Sequence, residues 1–231
     1  MNEIEHIFEP SRLLLVWHHA NADAPKNRRV VGELLRHGDD ASFKYLKGTD
    51  DFRLALEEGF HEFPAFADAK GEPDKLGALD VFVRRLPPRR REDFQEYLKQ
   101  YNLPIDFAGS SFALLAYTGA RLPSDTFELC PDLSDAKAPL DLIVEVAGLT
   151  HHMGDSVFSE SDRVFFEKDP TNLHDTSAVK VIHNNKHVGY INKALAPSFT
   201  NLIDSGDLTG SIIKFTNTKG KPRLLVLVKY T

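Results

Sequence analysis

Residues 166–191 read FEKDPTNLHDTSAVKVIHNNKHVGYI, and the punctuation of this stretch decides how the second half of the chain folds. Asp169-Pro170 ends an apolar run, because proline removes a backbone donor and fixes its own φ. Asn172 and Asp175 stand three apart in the segment that follows, where short amide and carboxylate side chains fold back on nearby N–H groups. Ala178, Val179 and Val181 restart a buried strand. Asn184-Asn185 then turns the chain into Val188-Gly189-Tyr190-Ile191, the pattern of a β-hairpin. Beyond it, residues 192–204 predict a helix whose buried stripe is Leu195, Phe199, Leu202 and Ile203, with Gly206 just past its end. Leu224–Val228 predicts a closing strand.

Outward from this stretch, the chain has 231 residues, enough for one large domain or two small ones. Hydrophobic residues make up 42% and charged residues 27%, the balance of a soluble globular protein. A single cysteine, Cys130, excludes internal disulfides and fits a reducing compartment. The first ten residues, MNEIEHIFEP, lack the basic and apolar regions of a secretory signal, and apolar runs such as Leu13–Trp17 are too short to span a bilayer. A cytoplasmic protein without membrane association is the expectation. The net charge of −6 argues against a protein that coats nucleic acid, but it is unevenly spread. Residues 141–231 carry ten basic and ten acidic side chains, and residues 204–231 alone carry five basic against two acidic. That positive edge suits a DNA end, and equally suits a strand edge protected from aggregation.

In the first half, Arg12–His18 and Arg28–Arg36 predict buried strands, joined by a loop containing Ala24-Pro25 and Lys26-Asn27. Phe43, Tyr45 and Leu46 mark a third strand. A helix is expected over residues 89–101, with Phe94, Tyr97, Leu98 and Tyr101 on one stripe. Phe112–Tyr117 is read as an apolar strand. Arg84, Arg85, Arg89, Arg90 and Arg91 crowd the start of the expected helix, where the macrodipole disfavours cations. They are read either as a site for an acidic or phosphorylated partner or as solvated charges. Residues 130–140, with two prolines and no apolar period, read as a linker.

The ordered string from Asp169 to Ile191 resembles the HIRAN domain. Its pattern is an acidic residue and proline, then Asn-Pro-x-Asp-x-x-Ala, an alternating strand and Val-Gly-x-Ile. The resemblance implies a compact β-barrel and, from DNA-repair translocases that carry the domain, a pocket holding the 3′ end of single-stranded DNA. Such pockets use a Gly-x-Arg-Tyr-Tyr-x-Gly segment, here Gly148–Gly154, GLTHHMG, and an Asn-Pro-Tyr-Asp turn, here Asn172–Asp175. On this alignment His151 and His174 stand where tyrosines stack on bases, and Asp175 stands where a carboxylate accepts the 3′-hydroxyl. His152, Asn172, Tyr190 and Lys193 complete the implied DNA-binding set. Thr150 replaces a phosphate-contacting arginine and Leu173 a proline. The same residues admit two other readings: a metal site of His151, His174 and Asp175, or a turn tied only to its own backbone.

The string LDVFVRRLPPRRREDFQEYLKQYNLPIDF, followed by FALLAYTGA, resembles the N-terminal subdomain of HipA-type toxin kinases, without the kinase portion. The expected architecture is therefore mainly β with α+β character. A HipA-N-like α+β domain (1–130) precedes a linker (131–140) and a HIRAN-like barrel (141–231). No Gly-rich phosphate loop, Cys-x-x-Cys or Gly-x-Ser-x-Gly motif is present. The expectation is a non-enzymatic DNA-recognition module, for single-stranded ends with a 3′-hydroxyl or for damaged or remodelled DNA, without cofactor or resident metal. The alternative is a regulatory factor of a toxin–antitoxin type whose first domain docks on a HipA-like kinase core, an antitoxin or a DNA-processing enzyme.

Overall fold

The computed structural model describes residues 4–19, 27–66, 77–218 and 220–231. The expected loop at Ala24-Pro25 lies outside them, as does Lys26. The chain divides into two compact units. One comprises Glu9–Leu98 and Asp106–Asp132; the other comprises Leu133–Thr231 with Met1–Phe8 and Lys99–Ile105. Among the described residues, no helix is long and apolar enough to cross a membrane.

The first unit is built on four antiparallel strands in the order β3-β2-β1-β4, where β1 is Arg12–His18, β2 Arg28–His37, β3 Asp40–Tyr45 and β4 Phe127–Pro131. Its helices are α1 (Asp50–Glu57), α2 (Ala78–Val83), all but the last two residues of α3 (Phe94–Gln100), and α4 (Ser111–Thr118). Phenylalanine rings fill the core: Phe43 stacks on Phe66 at 4.6 Å between centroids and Phe63 stacks on Phe82 at 4.9 Å. Such pairs add about 0.5–1.5 kcal/mol to the area they bury.

Two expectations are corrected in this unit. Phe112–Tyr117 is not a strand but most of α4. Ser110 Oγ accepts a hydrogen bond from the Ala113 N–H at 3.0 Å, and Gly119 ends the helix at φ 67°. Phe112 to Ala116 are all buried, so the helix shows no apolar period to betray it, and it contains no β-branched residue before Thr118. The helix expected over 89–101 begins only at Phe94. Arg89, Arg90 and Arg91 therefore precede it and do not occupy its first turn. Arg89 donates to the Phe107 and Gly109 carbonyls, and Arg91 pairs with Asp93. Arg85 grips Asp125 with both terminal nitrogens, at 2.6 and 3.0 Å, and also donates to the Ala120 and Phe127 carbonyls. Arg85, 8% exposed, is thereby held within the fold; Arg84, Arg89, Arg90 and Arg91 are exposed.

Cys130 and Pro131 lie within β4, where burial pushes the Cys130 thiol pKa far up. Asp132 and Leu133 are buried too, Asp132 pairing with Arg12, so this part of the expected linker is ordered core.

The second unit is a curled six-stranded antiparallel sheet in the order β5-β10-β9-β6-β7-β8. Its strands are β5 (Leu140–Glu145), β6 (Arg163–Lys168), β7 (Val179–His183), β8 (Lys186–Tyr190), β9 (Leu208–Thr218) and β10 (Lys221–Tyr230). Leu224–Val228 lies in β10, which pairs with both β5 and β9 and is thus an inner strand, not the closing one. Closure is made elsewhere. Just past β5, Ala147 exchanges two backbone hydrogen bonds of 2.8 Å with Tyr190, the last residue of β8. Gly189 permits this approach. Its φ is 157°, and a Cβ there would stand 2.5 Å from the Ala147 carbonyl oxygen.

Val144, Val164, Val179, Val181, Val188, Leu224 and Val226 form the buried face of the sheet, and Phe199 of helix α6 (Ala196–Ser205) is buried too, its ring 5.6 Å from that of Phe166 and edge to face with it. Leu195 and Leu202 are buried as expected; Ile203 is half-buried. The helix starts four residues later than the expected 192, because Asn192 shapes the turn before it. Its backbone carbonyl accepts from Leu195 and Ala196, and its side chain from Ala194. The β7–β8 hairpin turns through Asn184 and Asn185, at φ 48° and 61°, the left-handed pair that a two-residue turn demands.

Candidate nucleic-acid interface

The turn after β6 is organised by Asp169, which is buried at 7% exposure. Its carboxylate accepts hydrogen bonds from Thr171 Oγ1 (3.1 Å), Asn172 Nδ2 (3.4 Å) and Tyr190 Oη (3.1 Å), and it pairs with Lys180 Nζ at 3.2 Å. Burial acts to raise its pKa, but the bonds from Lys180, Tyr190, Thr171 and Asn172 together outweigh that and hold it below the ordinary value. The same setting pushes the Tyr190 phenol up, through burial first and then its bond to Asp169.

Asn172 and Asp175 tie the turn to itself, as the sequence implied. Asn172 Oδ1 accepts from the His174 and Asp175 N–H groups at 2.9 and 3.1 Å. Asp175 Oδ1 accepts from both the N–H and the hydroxyl of Ser177, at 2.9 and 2.6 Å. Among the described residues the other Asp175 oxygen takes no hydrogen bond, so the carboxylate keeps one acceptor for a ligand. Leu173, at the tip, is 96% exposed.

A second cluster lies across β8. The short helix α5 (Leu149–His152) carries His151 and His152 in its last turn. The His152 ring stands 4.3 Å from that of His187 and 5.3 Å from that of Tyr190; His187 and Tyr190 are 4.5 Å apart, edge to face. His187 Nε2 lies 3.0 Å from the Gly189 carbonyl, a contact that makes it the protonated nitrogen of the neutral ring. Burial lowers the pKa of both histidines. The charge of His151 adds to the effect at His152, and those of His152 and Lys180 add to it at His187. With Tyr190 the two imidazoles form a three-ring aromatic surface.

Of the residues singled out from sequence, Asn172 and Tyr190 converge on Asp169, while His152 joins Tyr190 through their rings. His151 and His174 are exposed and form no ring contact or hydrogen bond through their side chains among the described residues. Lys193 is exposed between β8 and α6. The structure does not bring His151, His174 and Asp175 together as metal ligands. Among the described residues, the one such group with ligand atoms within 4.8 Å of each other is Glu5, His6 and Asp141. There, Asp141 is engaged as a clasp, accepting from the Glu5 and His6 N–H groups at 2.8 and 3.0 Å. Sequence reasoning passed over Asp169, Lys180 and His187. Asp169 stood in view as the residue before Pro170, but only the sheet register shows that Lys180 and Tyr190 converge on it.

Comparison with known proteins identifies this region as a HIRAN domain. Residues 140–224 match the family model of that name. Among solved structures, the HIRAN domain of human HLTF is similar, with 25% identity over 39% of this chain and 74% of that one, at a TM-score of 0.35. A protein from Lactobacillus plantarum is similar at 19% identity, 40% and 95% coverage, and a TM-score of 0.32. No curated protein sequence matches the chain. The resemblance of the first half to HipA-type N-terminal subdomains finds no support in these comparisons.

Proposed function

We propose that the HIRAN region recognises DNA, receiving the 3′-hydroxyl end of a single strand at the Asn172–Asp175 turn, and that the chain acts as a binding module without catalysis of its own. HIRAN domains are DNA-binding modules, and the match over residues 140–224 supports that role. The observation that carries the finer reading is the state of Asp175. One carboxylate oxygen is held by Ser177, which fixes the group's orientation, and the other is left as an acceptor. An oriented acceptor of this kind suits a terminal hydroxyl and opposes a terminal phosphate, whose charge has the same sign. The exposed imidazoles of His151 and His174 offer faces on which bases stack.

Fluorescence anisotropy at low salt, with labelled oligonucleotides of about ten bases ending in 3′-hydroxyl or 3′-phosphate, tests this. A hydrogen bond to a charged acceptor contributes about 1.5–3 kcal/mol, or roughly 10- to 150-fold in affinity. The hydroxyl end should be preferred to a degree in that range. Asp175→Asn should reduce the preference while leaving the fold intact, since an amide oxygen can still accept from Ser177. Equal affinity for the two ends overturns end recognition, and no binding to either overturns the DNA reading itself.

A further inference from the structure

From Leu208 to Thr231 the chain holds five lysines and arginines and no acidic residue, and β9 and β10 fold this segment back on itself. The register decides where the charges go. Lys221 pairs with Thr218, Arg223 with Thr216 and Leu225 with Lys214. Directly paired residues project to the same side of a sheet, and so do residues two apart along a strand. Lys214, Thr216, Thr218, Lys221 and Arg223 therefore share one face of the hairpin. The opposite face is the apolar one, carrying the fully buried Leu224.

The outer face is not uniformly charged. Arg223 is bound by Glu145 of β5 through two hydrogen bonds of 3.0 and 2.8 Å, so its charge is largely matched. Lys214 and Lys221 are exposed and make no ion pair among the described residues. They flank two threonine hydroxyls over a length of about 13 Å, four strand residues at ~3.3 Å each.

The topology also fixes which end of the sheet this face occupies. Glu145, the last residue of β5, pairs with Leu225, and the Val146 N–H donates to the Leu224 carbonyl. The next residue, Ala147, bridges to Tyr190, and Gly148 then opens α5 with His151 and His152. The basic start of β10 and the ring cluster on β8 are thus joined by one short run of backbone. The run Gly148–Gly154 beside the rings holds no lysine or arginine.

We propose that the outer face of the β9–β10 hairpin is a contact surface for the sugar–phosphate backbone, with Lys214 and Lys221 each neutralising a phosphate of a strand whose end lies at the Asn172–Asp175 turn. The inference rests on the DNA-binding reading above and adds to it the path the strand takes away from its end. Lysine ammonium groups and threonine hydroxyls read phosphates without regard to base, so this surface contributes affinity and salt dependence but no sequence preference.

The test is the salt dependence of binding by the full chain and by Lys214→Gln/Lys221→Gln, measured by anisotropy on a 20-base single strand with a 3′-hydroxyl. Each phosphate contact to a single strand contributes about 0.7 to the slope of log affinity against log salt, so the variant's slope should be shallower by ~1.4. Between 50 and 200 mM salt the unaltered protein should then lose about sevenfold more affinity than the variant. The ratio of affinities for 3′-hydroxyl and 3′-phosphate ends should not change, because these lysines do not read the terminus. Equal slopes for the two proteins overturn this inference while leaving end recognition standing. Failure of the unaltered protein to bind any strand overturns both. Melting curves of the two proteins should coincide, since neither lysine is paired; a shift would show that the lysines support the fold, against the proposal.

Discussion

Gly189→Ala tests how the sheet closes. A Cβ at this position would stand 2.5 Å from the Ala147 carbonyl oxygen and 2.5 Å from Val146 Cγ1. Neither atom can yield at low cost. The carbonyl belongs to the pair of 2.8 Å hydrogen bonds with Tyr190, and Val146 is buried at 4% exposure. Loss of both hydrogen bonds costs about 2 kcal/mol, at roughly 1 kcal/mol net for each. Holding an alanine at a φ of 157° adds about 1–3 kcal/mol. The expected destabilisation is therefore about 3–5 kcal/mol, a large part of the ~5–15 kcal/mol that holds a typical protein folded. Urea unfolding followed by far-ultraviolet circular dichroism would measure it. Fluorescence of Trp17, in β1 of the other unit, provides an internal reference that should not shift if the units unfold separately. A variant within about 0.5 kcal/mol of the unaltered protein would refute the closure argument, since it would show the bridge to be dispensable.

Arg85→Ala removes four hydrogen bonds and leaves Asp125 and two backbone carbonyls without their donor; it should cost about 3 kcal/mol in urea, whereas Arg90→Ala should be neutral within about 0.5 kcal/mol. The lowered pKa values of His152 and His187 mean that the unfolded chain binds more protons than the folded one just below the unfolded value of about 6.5. Stability should accordingly fall as pH drops from 7.5 to 5.5, and in thermal melts the fall should be smaller for His152→Gln/His187→Gln; equal falls would remove these histidines as the cause. A polypeptide of residues 139–231 holds all six strands and α6 of the second unit and should melt cooperatively. It lacks the Glu5 and His6 N–H donors to the buried Asp141, so adding a peptide of residues 1–8 should raise its melting temperature, and a broad, non-cooperative melt would mean that it is not an independent unit.

What the sequence disclosed follows the range of the interactions involved. Strand β1 was legible to the residue, because an uninterrupted apolar run bounded by polar residues reports a buried strand directly. The Asn184-Asn185 hairpin and the Asn172–Asp175 clasp were legible because their hydrogen bonds join residues two or three apart. Helix α4 was not, since it is apolar on every side and periodicity is the signal that separates helix from strand. The partners of Arg85 and Arg89 were hidden for a related reason: Asp125, Phe107 and Gly109 come from later segments, which local spacing does not encode. In the candidate site, the convergence of Lys180 and Tyr190 on Asp169 depends on the register of β6, β7 and β8, which no local spacing encodes.

That register gives the Val188–Ile191 run a meaning beyond a strand signature. Val188 is fully buried in the sheet's inner face, and Gly189 makes room for Ala147. Tyr190 then does two things at once. Its backbone closes the sheet against Ala147, while its side chain bonds to Asp169 and meets the rings of His152 and His187. Ile191 returns to the core and donates its N–H to the Val179 carbonyl. Closure of the sheet and assembly of the polar cluster are therefore one structural event, not two. A substitution that opens the bridge must also displace the Tyr190 phenol from Asp169, so loss of DNA binding by such a variant would say nothing about which atoms touch DNA. Only changes that leave the backbone pair intact, at Asp175, His151, His174, Lys214 or Lys221, can separate recognition from folding. Each of these side chains is at least partly exposed, and none belongs to the bonds that close the sheet.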